Sequence, residues 1–223
     1  MRSRLALVGA GLVLAGCYPD PIETLADTEL VITRFDPGVF GEDATENPGF
    51  GTYARPDVVL ELDPDADEPP VDPEPGPFDD AIFATLDANL AALGYQRRTG
   101  DDAENADVFV LAAATAEEWE AWGCYPGWYY WGWWDGWGSP ARPDAGWCFP
   151  GSASVITFEN GTLLIDMVDA DALEGAPDTV SVAWSVSING LLSRTTEGIE
   201  RQIARTIDRA FAQSNYLRVR SAP

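Results

Sequence analysis

Residues 159–169 read Glu-Asn-Gly-Thr-Leu-Leu-Ile-Asp-Met-Val-Asp, and this stretch decides the fold. The run at 162–168 has the apolar, branched composition of a strand. Asn160 and Gly161 in front of it form a strong hairpin signal, because both residue types tolerate a positive φ. Residues 152–158, upstream of the turn, are also strand-like. The sequence therefore predicts a β-hairpin in which 152–158 and 162–168 are antiparallel neighbours.

Four further runs have the composition of strands. Residues 30–35 form a short β-branched run. Residues 107–114 are apolar on both faces, which predicts a central strand. Residues 52–62 are strand-like but interrupted by Pro56, which predicts an edge strand or a split one. From 179 to 188, large and small residues alternate, so one face toward the core is predicted to carry Val180, Val182, Trp184, Val186 and Ile188.

Two segments have helical periodicity. Residues 78–93 are followed by Gly94, which is typical of a helix end, and residues 196–213 form an amphipathic helix with a row of arginines outside its apolar stripe. The apolar stripes consist of Ile82, Phe83, Leu86, Leu90 and Leu93, and of Ile199, Ile203, Ile207, Ala210 and Phe211. Together the elements predict an α+β two-layer sandwich: a mainly antiparallel sheet of five to six strands with two helices on one face and a Gly/Trp/Tyr-rich inserted loop.

The N terminus has the pattern of a lipoprotein signal. Arg2 and Arg4 precede an apolar stretch at 5–14, and Leu-Ala-Gly-Cys ends at Cys17. Removal of residues 1–16 would leave Cys17 as the lipid acceptor. Its acyl chains, palmitate among them, would hold the protein on a membrane, because each buried methylene contributes about 0.8 kcal/mol. The alternative is an ordinary signal peptide cleaved elsewhere, with Cys17 available for a disulfide.

The signal also predicts domain organisation and location. Residues 17–28 are expected to be a tether and 29–215 a single domain. Tyr18 stands where aspartate is associated with retention in the inner membrane, so we expect an outer membrane lipoprotein that faces the periplasm. The inner membrane and the cell surface stay open as alternatives.

The charged residues exclude several classes of function. The 37 acidic residues outnumber 13 basic ones, all arginine, which gives a net charge of −24. Such a charge repels phosphate backbones, so we expect no nucleic-acid partner. Without histidine or lysine, the chain cannot build a Ser-His-Asp or Cys-His site, a Schiff base or the phosphate-binding lysine of a P-loop. We therefore expect no catalytic residues, no cofactor and no metal.

The acidic, proline-rich residues 63–77 are predicted to form a flexible loop. Asp63, Asp65, Asp67 and Glu74 match the acidic positions of a calcium-binding EF-hand loop. Glu68 replaces the glycine that such a loop needs, and prolines follow it. A solvated linker is therefore favoured over a calcium site.

An aromatic insert spans 119–149 and carries eight of the nine tryptophans. Cys124 and Cys148 bracket it, and in an oxidising compartment they are expected to form a disulfide. Four uses fit this composition: packing onto the domain itself, anchoring a protein partner, stacking on glycan, and lying at a membrane surface. If the insert is the contact surface, the candidate ligand-binding residues are Trp131, Trp133, Trp134 and Trp137.

Asp166 and Asp169 carry the rival hypothesis, a carboxylate-dependent hydrolase that acts on cell-wall glycan. Residues three apart on a strand point to opposite faces, so the two aspartates are expected to be strand-end and turn acids.

The order of motifs resembles a bacterial lipoprotein family catalogued as domain of unknown function 4136. The motifs are 52–57 (Thr-Tyr-Ala-Arg-Pro-Asp), 90–95, 106–110, the aromatic insert, 159–169, 182–185 and the closing helix. The resemblance implies a small α+β domain on a lipid anchor, with no established activity or catalytic residues. We therefore expect a non-catalytic binding or scaffolding module at the outer membrane, whose partners are the membrane, through the anchor, and an envelope protein or glycan.

Overall fold

The structure, a computed structural model, describes residues 29–43, 46–61, 75–115, 119–122, 124–126, 146–148, 155–158, 161–173, 179–191 and 195–220. The strands are β1 (Leu30–Phe35), β2 (Thr52–Ala54), β3 (Leu60–Glu61), β4 (Gln96–Arg97), β5 (Val108–Thr115), β6 (Trp119–Trp122), β7 (Cys124–Pro126), β8 (Gly146–Cys148), β9 (Val155–Phe158), β10 (Thr162–Asp169) and β11 (Thr179–Asn189). The helices are α1 (Pro37–Phe40), α2 (Asp79–Leu93) and α3 (Thr196–Gln213). Short 3₁₀ turns lie at 100–105, 170–173 and 215–217.

The main sheet has seven strands along its path, in the order β4-β2-β5-β10-β11-β8-β7. β3 shares the edge of β5 with β2, and β1 shares the edge of β11 with β8. The long central pairs, β5 with β10 and β10 with β11, are antiparallel, while β2, β3, β4 and β8 form parallel pairs. The predicted α+β class with a mainly antiparallel sheet is confirmed, although the sheet is longer than five or six strands.

The predicted hairpin across Asn160 and Gly161 is wrong. Both edges of β10 are taken by β5 and β11, so β9 pairs instead with β6 in a separate two-stranded sheet. Gly161 does have a positive φ of 78°, but its neighbour is the end of β11: a Cβ there would lie 2.8 Å from the carbonyl oxygen of Leu191. Glycine is therefore needed at this position because two backbone segments come close together. The turn signal was correct for the conformation of Gly161 but did not identify the strand that pairs with β10.

The strict alternation along β11 is also broken. The register with β10 shifts between Met167 and Val168, so that Met167 pairs with Trp184 and Val168 with Val182. Ala183 is the extra residue of this bulge, and it joins the core beneath the helices whereas Val182 does not. A β-bulge inserts one residue and reverses the side-chain alternation beyond it, which explains why Val182 does not share the face of Trp184.

The helices follow the predicted boundaries. α3 has the predicted bounds. α2 begins one residue later than expected and ends at Leu93, capped by Gly94, whose φ of 100° is left-handed. Both helices pack their apolar stripes against one face of the sheet, in a core that includes Trp184, Leu86 and Ile207. The indole nitrogen of Trp184 donates a hydrogen bond to Ser214 Oγ at 2.9 Å. Burial of one apolar stripe from each helix holds the helix layer against the sheet.

Three local features complete the architecture. Residues 52–62 are split into β2 and β3 as expected, and both pair with β5. Asp36 caps the short helix α1 by accepting a hydrogen bond from the backbone N–H of Gly38. The segment predicted as an aromatic loop contains β6, β7 and β8.

Candidate functional site

Several predicted site residues lie outside the described residues. They are Cys17 and the four candidate tryptophans Trp131, Trp133, Trp134 and Trp137. The same holds for the candidate calcium ligands Asp63, Asp65, Asp67 and Glu74. The lipid anchor, the ligand-binding tryptophans and the calcium site therefore stay predictions.

The two cysteine-bearing strands are described, and they pair with each other. β7 and β8 are antiparallel, and Cys124 lies directly opposite Cys148 in their register. Opposite residues of antiparallel strands have Cα atoms about 4.5–5.5 Å apart, which is within the range that a disulfide spans. The backbone is thus compatible with the predicted disulfide, which itself stays a prediction.

β7 and β8 also flank the most tryptophan-rich part of the insert, and we call this strand pair its base. Residues 127–145, which contain five tryptophans in sequence, leave β7 after Pro126 and re-enter β8 at Gly146. Gly146 pairs with Thr179 at the start of β11, whereas Leu30 pairs with Asn189 at its end. At about 3.3 Å per residue, the base of the insert and the start of β1 are about 30 Å apart along β11.

Asp166 is not at a strand end. It lies in the middle of β10, opposite Ser185 of β11, and none of its surface is exposed. Its sheet face, opposite the helices, also buries the polar residues Thr162, Ser185, Ser187 and Asn189. Thr162 Oγ1 donates to Asn189 Oδ1 at 2.7 Å. A carboxylate buried in this way is not presented to a glycan chain.

Asp169 does lie at the end of β10, as predicted. Burial raises the pKa of its carboxyl, and the nearby Asp171 and Asp107 carboxylates raise it further, against a hydrogen bond from the backbone N–H of Asp171. Asp166 and Asp169 therefore have separate environments: one is enclosed in the sheet and the other is partly exposed at its end.

Glu29, directly before β1, has a buried carboxylate that the sequence analysis did not single out. Its side chain has no exposed surface, and it accepts hydrogen bonds from Gln202 Nε2 at 3.0 Å and from Arg205 Nε at 3.3 Å. A second nitrogen of Arg205 also donates to it. Both partners belong to α3, so the first described residue of the chain is fixed to the last long helix. The signal available in the sequence was an acid immediately before a strand, in a chain with an arginine row.

Exposed side chains lie near Glu29 on both faces of the sheet. Arg201, Arg205 and Arg209 are spaced four residues apart on α3, and all three are exposed. On β1, the side chains of Leu30 and Ile32 are 51% and 36% exposed. They lie on the sheet face opposite α3, because they pair with Asn189 and Ser187 of that face.

At the opposite edge of the sheet, Arg55 is buried among carboxylates. Its Nε and one terminal nitrogen donate to the two oxygens of Asp87, at 2.9 and 2.8 Å, and the other terminal nitrogen donates to Asp57 and to the carbonyl of Pro56. The guanidinium lies 4.1 Å from the centre of the Phe83 ring. Arg97 of β4 also pairs with Asp57, at 2.8 Å. The bidentate geometry makes this a strong ion pair.

Tyr53 completes this cluster by donating from its hydroxyl to Asp87 at 2.7 Å. Burial alone would raise the pKa of Asp87, but the hydrogen bonds from Arg55 and Tyr53, together with the positive charges, hold it below its usual value. Burial and the hydrogen bond to Asp87 raise the pKa of the Tyr53 hydroxyl. The cluster satisfies its own donors and acceptors, so we interpret it as a structural joint between β2, β4 and α2.

Two further classes of site are not found where the structure describes the chain. In those ranges, no three cysteine or carboxylate side chains come together in a way that would hold a metal ion. None of the described helices is long and apolar enough to cross a bilayer.

Comparison with known proteins places these features in a family. The model of a domain of unknown function, DUF4136, matches residues 44–214. A crystal structure of a DUF4136 family protein from Bacteroides thetaiotaomicron is 22% identical, with a TM-score of 0.59, and the match covers 86% of this chain and 98% of that one.

A PelC dodecamer from Paraburkholderia phytofirmans is a more distant structural match. It is 13% identical, with a TM-score of 0.38, and covers 86% and 99% of the two chains. No curated protein matches. The comparisons thus give a fold and a family, and leave the activity to be inferred from the residues.

Proposed function

The chain belongs to the DUF4136 family, which is named for a domain of unknown function, and we propose that it is a lipid-anchored envelope protein with a binding role. In this proposal, Cys17 carries the acyl chains and the tryptophan-rich segment is the contact surface for an envelope protein or glycan at the periplasmic face of the outer membrane. The observation that carries it is the pairing of β7 with β8, which closes the base of residues 127–145.

The position of that base favours a partner away from the anchoring membrane. The segment leaves the sheet at the Thr179 end of β11, whereas the tether joins the domain at the Asn189 end, about 30 Å away. A disulfide between Cys124 and Cys148 would hold the two ends of the segment together and contribute roughly 3 kcal/mol. Aromatic side chains on a fixed base can bind with little loss of conformational entropy.

A non-catalytic role agrees with the chemistry of the buried carboxylates. Asp166, the residue on which a glycan hydrolase would depend, is enclosed in the central sheet. Asp87 is occupied by Arg55 and Tyr53. The sequence also lacks histidine and lysine, the residues most often used for proton transfer and Schiff-base chemistry. These features favour recognition over turnover.

The anchor is tested by metabolic labelling. Cells that express the full chain are grown with labelled palmitate, and the protein is analysed by mass spectrometry after membrane fractionation. We expect label on Cys17 and recovery with the outer membrane, and loss of the label in Cys17→Ala. An unlabelled wild-type chain would refute the lipid anchor.

The contact surface is tested by fluorescence of the full chain in neutral phosphatidylcholine nanodiscs. A Trp184→Phe background removes the one tryptophan outside the insert, which is buried, so that emission reports on the insert alone. Peptidoglycan fragments and lipopolysaccharide are titrated separately. We expect a saturable blue shift with one of them, or with an envelope protein fraction if the partner is a protein.

Matched variants separate recognition from folding. The quadruple alanine variant at Trp131, Trp133, Trp134 and Trp137 should lose the binding signal, while the quadruple phenylalanine variant keeps aromatic faces and part of the affinity. Both are compared by urea unfolding. If the alanine variant loses more than about 2 kcal/mol of unfolding free energy, the size of a buried aromatic contribution, the tryptophans belong to the core and the proposed contact surface is refuted.

A further inference from the structure

The strand pairs of the insert follow directly on the central pair of the main sheet. β5 pairs with β10 up to Thr115 and Thr162, then β6 pairs with β9, and then β7 pairs with β8. Each pair takes one strand from the chain that follows β5 and one from the chain that precedes β10. We call the pairs β6–β9 and β7–β8 the arm. The arm therefore starts at the Thr115 end of the sheet and carries residues 127–145 beyond its last strand pair.

The two ends of the arm lie at diagonally opposite corners of the main sheet. Thr115 is level with Asn189, at the end of β11, because both are neighbours of Thr162. Cys124 is level with Ser181, near the start of β11, through the intervening β8. Four strand spacings and roughly 25 Å along the strands separate these corners, about 30 Å in a straight line. Nine residues of chain span only about 30 Å, and a path around an edge would be longer, so β6 has to cross one face of the sheet.

The face that β6 crosses is the one opposite the helices. α2 and α3 pack their apolar stripes against the other face. On the crossed face, Leu164, Asp166 and Ser185 have almost no exposed surface. Leu30 and Ile32 belong to the same face but lie at a corner that the diagonal does not reach, and they are exposed. The burial pattern therefore agrees with an arm that lies diagonally across this face.

The face beneath the arm is more polar than the core beneath the helices. Its apolar side chains alternate with buried polar ones: Thr162, Asp166, Ser185, Ser187 and Asn189. Water can hydrate these polar groups, so exposure of this face costs less free energy than exposure of an apolar core of the same area. At its far end, the arm is held by three residue pairs between β8 and β11. Elements with few buried apolar contacts are those that open locally while the rest of a domain stays folded.

We infer that the arm lies across the polar face of the sheet and leaves it as one unit when β8 separates from β11. Thr115 and Gly161, at the other end of the arm, then act as the pivot. While the arm is docked, its tryptophan-rich segment is based at the Thr179 end of β11, away from the tether. After undocking, the segment turns about the end of the sheet where the tether joins. The inference goes beyond the proposed function, because it depends neither on the lipid anchor nor on the ligand.

Thiol labelling at two adjacent residues of β11 tests the inference. Ser185→Cys places a thiol beneath the arm, and Val186→Cys places one in the core beneath the helices. Each variant of the full chain, in detergent micelles, is treated with N-ethylmaleimide, and the labelled peptide is quantified by mass spectrometry. We expect labelling of Ser185→Cys to rise less steeply with urea, because opening of the arm exposes less surface than unfolding of the domain. An equally steep rise at both positions would overturn the inference, since the arm would then open only with the whole domain.

The role of the β8–β11 pairing is tested by Trp147→Pro, with Trp147→Ala as the matched control. Both remove the indole, but only proline removes a ladder hydrogen bond from β8, which is paired on both edges. In the proline background we expect Ser185→Cys to be labelled about tenfold faster than in the alanine background, and Val186→Cys at an unchanged rate. Ser185 lies about 13 Å along β11 from Ser181, so loss of pairing there exposes it only if the arm lies over it.

Two results in this second experiment would overturn the inference. Equal labelling of Ser185→Cys in the proline and alanine backgrounds would show that the β8–β11 pairing does not hold the cover of this face. Rapid labelling of Ser185→Cys in the otherwise wild-type chain would show that the arm does not cover the face. If Trp147→Pro speeds labelling at Val186→Cys as well, it unfolds the domain, and the urea series decides.

Discussion

At the β2–β4 edge of the sheet the buried charge is a guanidinium, that of Arg55, whereas at the β1 edge it is a carboxylate, that of Glu29. Arg55 is held by Asp87 of α2 and by Asp57 of the turn after β2, and Arg97 of β4 also pairs with Asp57, so the whole cluster belongs to one corner of the domain. Glu29 is held by a helix that lies more than 170 residues away in sequence. The ion pairs at the β2–β4 edge thus join residues of one corner, whereas those at the β1 edge fasten the N-terminal segment to the rest of the fold.

The difference shows what each ion pair does for the molecule. Removal of Arg55 leaves two carboxylates facing each other around a half-buried site, with only Arg97 to balance them. Removal of the charge on Glu29 leaves Arg205, whose side chain is 47% exposed and is readily solvated. We expect the β2–β4 edge to govern stability and the β1 edge to hold the N-terminal segment. Three substitutions test this contrast, and a fourth tests a carboxylate at the end of β10.

The largest effect is expected for Arg55→Met, which keeps the aliphatic packing on Phe83 and removes the charge. Breaking a buried ion pair by removing one partner costs about 3 kcal/mol or more, so the urea midpoint should fall markedly. Arg98→Met is the matched control, because Arg98 and Asp102 form an exposed pair and such pairs contribute less than about 1 kcal/mol. Equal losses in the two variants would show that Arg55 has no special role.

Glu29→Gln comes second, with an expected loss of about 2 kcal/mol. The amide can still accept from Gln202, but the charge-assisted hydrogen bonds from Arg205 are lost, and hydrogen bonds to charged groups contribute about 1.5–3 kcal/mol. Glu104→Gln, at an exposed carboxylate, controls for the loss of one negative charge. A loss larger than that of Arg55→Met would reverse the proposed ranking of the edges.

The third test concerns pH. The folded protein holds the pKa of Asp87 below its usual value, so the stabilisation it provides is present above the unfolded pKa of about 4 and is lost as pH falls through the folded value. The gap in unfolding free energy between wild type and Asp87→Asn should therefore be widest near pH 7 and should close toward pH 2. If this difference in unfolding free energy does not change with pH, Asp87 stabilises the fold through its hydrogen bonds and not through its charge.

The smallest effect is expected for Asp169→Asn, and its pH trend has the opposite sign. Burial raises the pKa of Asp169, so ionisation in the folded state costs stability as pH rises from the unfolded pKa through the folded one. Asparagine removes that cost and can keep the hydrogen bond from the N–H of Asp171. We expect a gain of up to about 0.5 kcal/mol at pH 7 and none at pH 3, measured by thermal unfolding. A loss at pH 7 would indicate that the charge is needed.

The elements that sequence predicted well are those set by local periodicity. α2 and α3 repeat their apolar residues at helical spacing over four or five turns, and β5 is apolar on both faces as a central strand should be. The hairpin failed for a physical reason: Asn160 and Gly161 favour a turn conformation, but which strand takes the edge of β10 depends on β5 and β11, far away in sequence.

The candidate sites also divide into those set by local sequence and those that depend on distant residues. The short pattern that ends at Cys17 and the cluster of tryptophans are visible in sequence because each is local. The ion pair between Glu29 and Arg205 joins positions with no sequence relation, and the bulge at Ala183 depends on the register with a partner strand. The cluster around Arg55 was quoted as a motif, yet its function as a joint required the position of Asp87 on α2.

The pairing of β1 with β11 has a consequence for how the chain folds as it is made. Leu30 pairs with Asn189 and Phe35 with Trp184, so β1 can pair only after β11 has been synthesised, about 150 residues later. Closing so long a loop slows folding, and until then the apolar β1 is unpaired at both edges and prone to aggregation. In a newly made chain, β1 therefore stays without its partner until the C-terminal third has emerged.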